Sequence, residues 1–143
     1  MTVDRILQGK SREIASTTAG ASLSAICSLL AERRIGAVPV LEGKTLIGIL
    51  SERDVVRALA LGGATALDLP VGEIMTRNVR TIGRGTSVEE AMAIMTEGRF
   101  RHLPVVEDGR MIGIVSIGDV VKARLDAQQR EVEDLKSYVA GAA

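Results

Sequence analysis

The chain writes nearly the same run of residues twice. "GILSERDVV" begins at Gly48 and "GIVSIGDVV" at Gly113, and around them residues 22–57 lie on residues 87–122 without a gap. Identities in this overlap include Pro39/Pro104, Val40/Val105, Glu42/Glu107, Gly48/Gly113, Ser51/Ser116 and Asp54/Asp119. A long period seen only twice means two paired supersecondary units rather than a solenoid. Upstream of Glu13 the match needs a gap, because "RILQGKSREI" is longer than "EIMTRNV".

Each unit reads in the same order. The extended segments "REIASTT" and "NVRTI" come first. An amphipathic helix follows, with Leu23, Ile26, Cys27, Leu29 and Leu30 on one face, and Val88, Ala91, Met92, Ile94 and Met95 on its counterpart. Ser87 with Glu90 fits a capping box at the second of these helices. Two strands come next, "AVPVL" with "TLIGIL" and "HLPVVE" with "RMIGIV", turned by "EGK" and "DG". Pro39 and Pro104 point to an edge or to a strand start. A second helix begins at Ser51 or Ser116; Gly62 and Gly63 stop the first copy, and "ATALDLP" links the units.

One such unit has too small a core to be comfortable alone. Two of them packed sheet to sheet with approximate two-fold symmetry bury both apolar faces and leave clefts where they meet. The expected fold is therefore α/β (α+β), with a first repeat over 1–64, a linker over 65–70, a second repeat over 71–126 and a helical extension over 127–143, all one module.

Composition removes several functions. With 18 basic and 18 acidic residues the formal charge is zero, and with one Phe and one Tyr there is no base-stacking platform, so no nucleic-acid partner is expected. Apolar runs are too short to span a bilayer, and "MTVDRILQGK" has no signal-type apolar core; the reading is cytoplasmic, without membrane insertion. Cys27 and His102 each stand alone, so Cys-rich and His-pair metal sites are excluded, and Cys27 reads as a small core residue. No nucleophile–base pair, Walker loop or Rossmann glycine fingerprint occurs, so no enzyme is expected.

The repeated Ser-x-x-Asp has two readings, and the residues leave both open. Ser51-x-x-Asp54 and Ser116-x-x-Asp119 match a helix capping box, worth about 1 kcal/mol each. Both copies, however, keep Ser and Asp, and both carry Gly three residues earlier, which lets something approach the backbone closely. Helix-start amides suit a phosphate. A carboxylate one turn on can accept from the two hydroxyls of a ribose, so the alternative is a nucleotide clamp.

"RRIGAVPVLEGKTLIGILSERDVVRAL" and "GRFRHLPVVEDGRMIGIVSIGDVVKARL", joined by "VGEIMTRNVRTI", resemble tandem cystathionine β-synthase (CBS) domains, the pair called a Bateman module. The resemblance implies clefts that take adenosine-containing ligands. It puts ribose on Asp54 and Asp119, and phosphate on Ser51 and Ser116, helped by Arg53 at one site and His102 at the other. It sets Ala15, Ile35 and Gly36 against Asp119, and Arg80, Phe100 and Arg101 against Asp54. The two sites differ by pairing: Arg53 is matched by Gly118, Glu52 by Ile117 and His102 by Ala37. His102 and Ala37 are carried as cleft residues, although His102 also reads as a surface strand residue.

Beyond the second motif, Val121, Leu125, Gln128, Val132, Leu135 and Val139 step by four and three, a heptad seam with one polar position. The seam predicts a helix packed on its twin, and the resemblance likewise implies a homodimer. The expected function is a regulatory sensor that binds AMP, ADP, ATP or NAD(H) between its repeats and signals to an unknown effector protein. The alternative is an interaction scaffold with empty or vestigial clefts.

Overall fold

The computed structural model describes residues 1–10 and 13–142. Arg12, which opens the expected "REIASTT" segment, and Ala143 lie outside the described residues. The first repeat holds helix α2 (Leu23–Arg33), strands β1 (Ala37–Glu42) and β2 (Thr45–Ser51) and helix α3 (Glu52–Gly62). The second holds α5 (Val88–Gly98), β3 (His102–Glu107), β4 (Arg110–Ser116) and the long α6 (Ile117–Ala142). Two short helices precede the repeats, α1 (Val3–Gln8) before the first and α4 (Val71–Ile74) before the second.

Local chemistry explains the elements. Ser22 Oγ accepts from Ala25 N and Ser87 Oγ from Glu90 N, capping α2 and α5. Each hairpin closes through a two-residue turn: Gly43 has φ 64°, and Asp108 and Gly109 have φ 52° and 76°. These are the positive angles a tight hairpin turn requires. Both hairpins carry the same irregularity, a register shift at Val40/Leu41 and at Val105/Val106.

The prolines lie on edges, since β1 and β3 are each one strand of a two-stranded sheet. Pro39 is the third residue of β1 and faces Ile49 of β2; on the other side its carbonyl accepts from Thr17 N. Pro104 does the same between Ile114 and Ile82. The extended segment of each repeat thus lies parallel to the first strand, held by one bridge, Thr17–Val40 or Ile82–Val105. Proline has no N–H to offer this side, so the parallel ladder stops after one rung.

The two cores do not follow chain order. One gathers Leu23, Ile26, Leu30, Val38, Val40 and Leu50 from the first repeat with Val71 and Met75 from the segment that opens the second. The other gathers Val88, Met95, Leu103, Val105, Val115 and Val120 with Val3, and Ile6 and Leu7 pack against it. Each repeat therefore lends its leading helix to the other. Ala66, in the linker, is also buried in the first core, within a 3-10 turn over Gly63–Asp68.

The repeated glycines make this exchange possible. A Cβ on Gly48 would overlap Met75 Sδ and stand 3.0 Å from Thr76 O; a Cβ on Gly113 would overlap Leu7. What comes close to these backbones is the exchanged segment, as the glycines led one to expect of some neighbour. The β2 and β4 strands also touch each other, so the two sheets meet face to face at the centre.

Gly48→Ala is expected to destabilise the chain by about 1–3 kcal/mol, the usual range for overpacking a fitted core. Urea unfolding of the variant against the parent measures this directly.

Candidate functional site

Two clefts open between the repeats. In the first, Asp54 is the one charged residue buried among those described, at 8% exposure. Its burial is tolerated because its carboxylate is satisfied. Oδ2 accepts from Ser51 N at 2.9 Å and from Ser51 Oγ at 3.1 Å, while Thr76 Oγ1 reaches Oδ1 at 3.3 Å. Asp54 N donates back to Ser51 Oγ at 3.3 Å, which completes a reciprocal capping box. Capping is therefore present at α3, whatever else the carboxylate does.

This cleft encloses about 520 Å3, within the usual range for a small-molecule site. From the first repeat it is lined by Gly36, Ala37, Ser51, Arg53 and Asp54; Arg80, Phe100, Arg101 and His102 face them. Phe100 is 41% exposed, an apolar ring left open to the cleft beside Gly98, whose missing Cβ gives the ring its place.

The second cleft is larger, about 950 Å3, and is lined by Ala15, Ile35, Gly36, Ala37, His102 and Ser116, together with Lys10. Asp119 is not on its wall. It forms the matching capping box, with Ser116 N donating to Oδ2 at 2.8 Å and Asp119 N donating to Ser116 Oγ at 3.1 Å. Lys10 Nζ donates to the same Oδ2 at 2.7 Å and to Ile114 O at 2.9 Å. Burial disfavours the charged form of Asp119, but the bond from Lys10 and those from Ser116 outweigh it, and the carboxyl sits below its ordinary range.

Thus the two motif carboxylates have different neighbours. Asp54 meets a neutral hydroxyl from the segment after α4, whereas Asp119 meets an ammonium from the segment after α1. Sequence reading missed both Thr76 and Lys10. They lie where the two halves do not align, so no repeat signal marked them. Ala15, Ile35 and Gly36 do gather on the Asp119 side, and Arg80, Phe100 and Arg101 on the Asp54 side.

His102 lines both clefts and is half-buried, with its ring close to Gly36. Burial lowers its pKa; the Glu52 carboxylate pulls it up, Lys10 pushes it down, Asp119 pulls it up and Arg101 pushes it down, with a net lowering. The ring is neutral at pH 7, so it offers either cleft a hydrogen bond rather than a charge. Among the described residues no group of three His, Cys, Asp or Glu side chains is placed to hold a metal ion.

A model of the CBS domain matches residues 6–61 and again residues 71–126. The chain belongs to the CBS-domain family. Arabidopsis thaliana has a relative named CBS domain-containing protein CBSX3, mitochondrial, 38% identical over 78% of this chain. The chain spans 57% of that protein. The CBS-domain containing protein ATU1752 from Agrobacterium tumefaciens superposes with a TM-score of 0.83 at 42% identity, covering 87% of this chain and 99% of its own. CBSX2, solved in complex with AMP, superposes with a TM-score of 0.72 at 30% identity, covering 81% of this chain and 90% of its own. The CBS pair thus has two clefts with one motif each, and no helix among the described residues is long and apolar enough to cross a membrane.

Because the folded pKa of Asp119 is depressed, its contribution to stability is present above the ordinary aspartate range and is lost as pH falls through the folded value. Lys10→Met is expected to cost about 0.5–1 kcal/mol near neutral pH, as suits a partly exposed pair, and less in high salt. The gap between variant and parent should close as the solution is acidified below the ordinary aspartate pKa. Denaturant melts across pH, with carboxyl NMR of Asp119, follow both effects.

Proposed function

We propose that this CBS pair is a regulatory module that binds an adenosine-containing nucleotide between its repeats and passes the change to an effector protein. The observation that carries the reading is the Asp54 cleft. There a buried carboxylate at a helix start faces an open aromatic ring and basic side chains of the other repeat. The carboxylate takes the ribose hydroxyls, the ring lies against the base, and Ser51 with Arg53 meets phosphate. Ala15, Ile35 and Gly36 serve the base at the second cleft, with Ser116 and His102 toward phosphate. The AMP bound to CBSX2 supports the same class of ligand. Regulation follows only where two arrangements of the repeats bind the ligand unequally, and a ligand held between both repeats would respond to a change in how they sit.

The working unit is a homodimer. Leu125, Val132, Leu135 and Val139 lie along one seam of α6, and each is more than half exposed in the single chain. A second copy of α6 covers that seam by coiled-coil packing. A scaffold reading has one observation in its favour: both motif carboxylates already have partners within the chain.

Asp54→Asn is expected to weaken AMP binding at its cleft about tenfold or more, from charge-assisted bonds lost. Calorimetric titration measures it, and binding equal to the parent's would leave the scaffold standing. Truncation before Gln128 should lower the sedimentation coefficient to that of a monomer.

A further inference from the structure

Both clefts carry cations, but the cations are in different states. The second cleft is lined by Lys10, Arg33, Arg34 and Arg84, with the carboxylates Asp4 and Glu13. Two of these are already engaged, Lys10 on Asp119 and Arg84 on Asp4. The Asp54 cleft is lined by Arg53, Arg57, Arg80, Arg99 and Arg101 against the two carboxylates Glu52 and Asp54. Among the described residues none of these five guanidiniums makes an ion pair, and none donates a side-chain hydrogen bond. Asp54 is held by Ser51 and Thr76 and neutralises none of them.

A chain with no net charge has thus gathered five unpaired arginines around one small cleft. Clustered like charges repel, and they persist where an anion of several charges joins them. Two of the five, Arg57 and Arg99, have no part in the nucleotide reading above. Arg57 is one turn along α3 from Asp54, and Arg99 follows α5 on the facing repeat. Arg99 has φ 56°, a left-handed conformation that glycine adopts with less strain. Arg34, its counterpart after α2, has φ 54°, so this helix end belongs to both repeats and is not what distinguishes Arg99.

We propose that the Asp54 cleft selects a nucleoside polyphosphate over a monophosphate, with Arg57 and Arg99 as the residues that read the added phosphates. The proposal rests on the nucleotide reading of this cleft and names the ligand's charge class. Guanidinium forks suit phosphate oxygens by paired hydrogen bonds. Because the arginines are exposed, the preference depends on ionic strength.

Isothermal titration of the full chain with AMP, ADP and ATP, in magnesium-free buffer at low and at high salt, tests it. Affinity is expected to rise about tenfold with each added phosphate at low salt, and the steps should shrink at high salt. In Arg57→Gln/Arg99→Gln the ATP-to-AMP ratio should fall toward one, while AMP binding stays within about twofold of the parent. An Arg130→Gln/Lys136→Gln control removes the same charge from the far part of α6 and should leave the ratio unchanged. AMP binding as tightly as ATP would overturn the proposal and spare the nucleotide reading. Loss of the ratio in the α6 control as well would overturn it too, because bulk charge would then be the cause. Absence of binding by all three nucleotides, with a normal thermal melt, would overturn the nucleotide reading itself. A melt of the double variant equal to the parent's excludes misfolding as the source of any loss.

Discussion

The structure depends on two places where a strand has no side chain. Gly48 of β2 and Gly113 of β4 leave room for Met75 and Leu7, each brought by the segment that precedes the other repeat. The exchange is reciprocal, so neither core is complete without chain from the other half. Separating the repeats would expose Val3 and Leu7 on one side and Val71 and Met75 on the other. At about 25 cal/mol for each Å2 of apolar surface, such exposure is strongly unfavourable. The clefts between the repeats are therefore built into one interlocked body.

The exchanged segments also decide what the clefts contain. After α4 the chain presents Thr76 to Asp54, and after α1 it presents Lys10 to Asp119. One structural device, used twice, delivers a neutral donor to one carboxylate and a cation to the other. In the proposed nucleotide reading, a ligand hydroxyl approaching Asp54 would displace a long hydrogen bond from Thr76. At Asp119 it would compete with a 2.7 Å ion pair. The near-symmetry of the backbone thus supports two chemically unequal sites, and the five free arginines fall on the side where the carboxylate meets no cation.

Much of the fold was legible because it is decided by neighbours in sequence. Ser22, Ser51, Ser87 and Ser116 cap the helices they precede, since a cap needs only the next three residues. Asp108-Gly109 and Gly43-Lys44 turn their hairpins for an equally local reason. The apolar face read for each first helix is the face that is buried. Pro39 and Pro104 were read as edge or strand-start positions, and each lies in a strand of a two-stranded sheet. The extended segment lies beside that strand and loses only one rung of its ladder to the missing N–H. Gly48 and Gly113 were rightly marked as points of close approach, but the approaching group came from the far repeat.

By itself the sequence determined the duplication, the order of elements within each repeat, the caps, the turns and the family. It also grouped Arg80, Phe100 and Arg101 with Asp54, which line one cleft together, whereas Asp119 is absent from the wall that Ala15, Ile35 and Gly36 share. Tertiary structure alone decided which repeat each leading helix completes, which donor meets each motif carboxylate, and that Arg57 and Arg99 join the Asp54 cleft. Helices and turns are set by contacts a few residues apart, which a pattern records. The exchange of α1 and α4 and the charge around each aspartate arise from contacts across the whole chain, where the two halves stop matching and no pattern repeats.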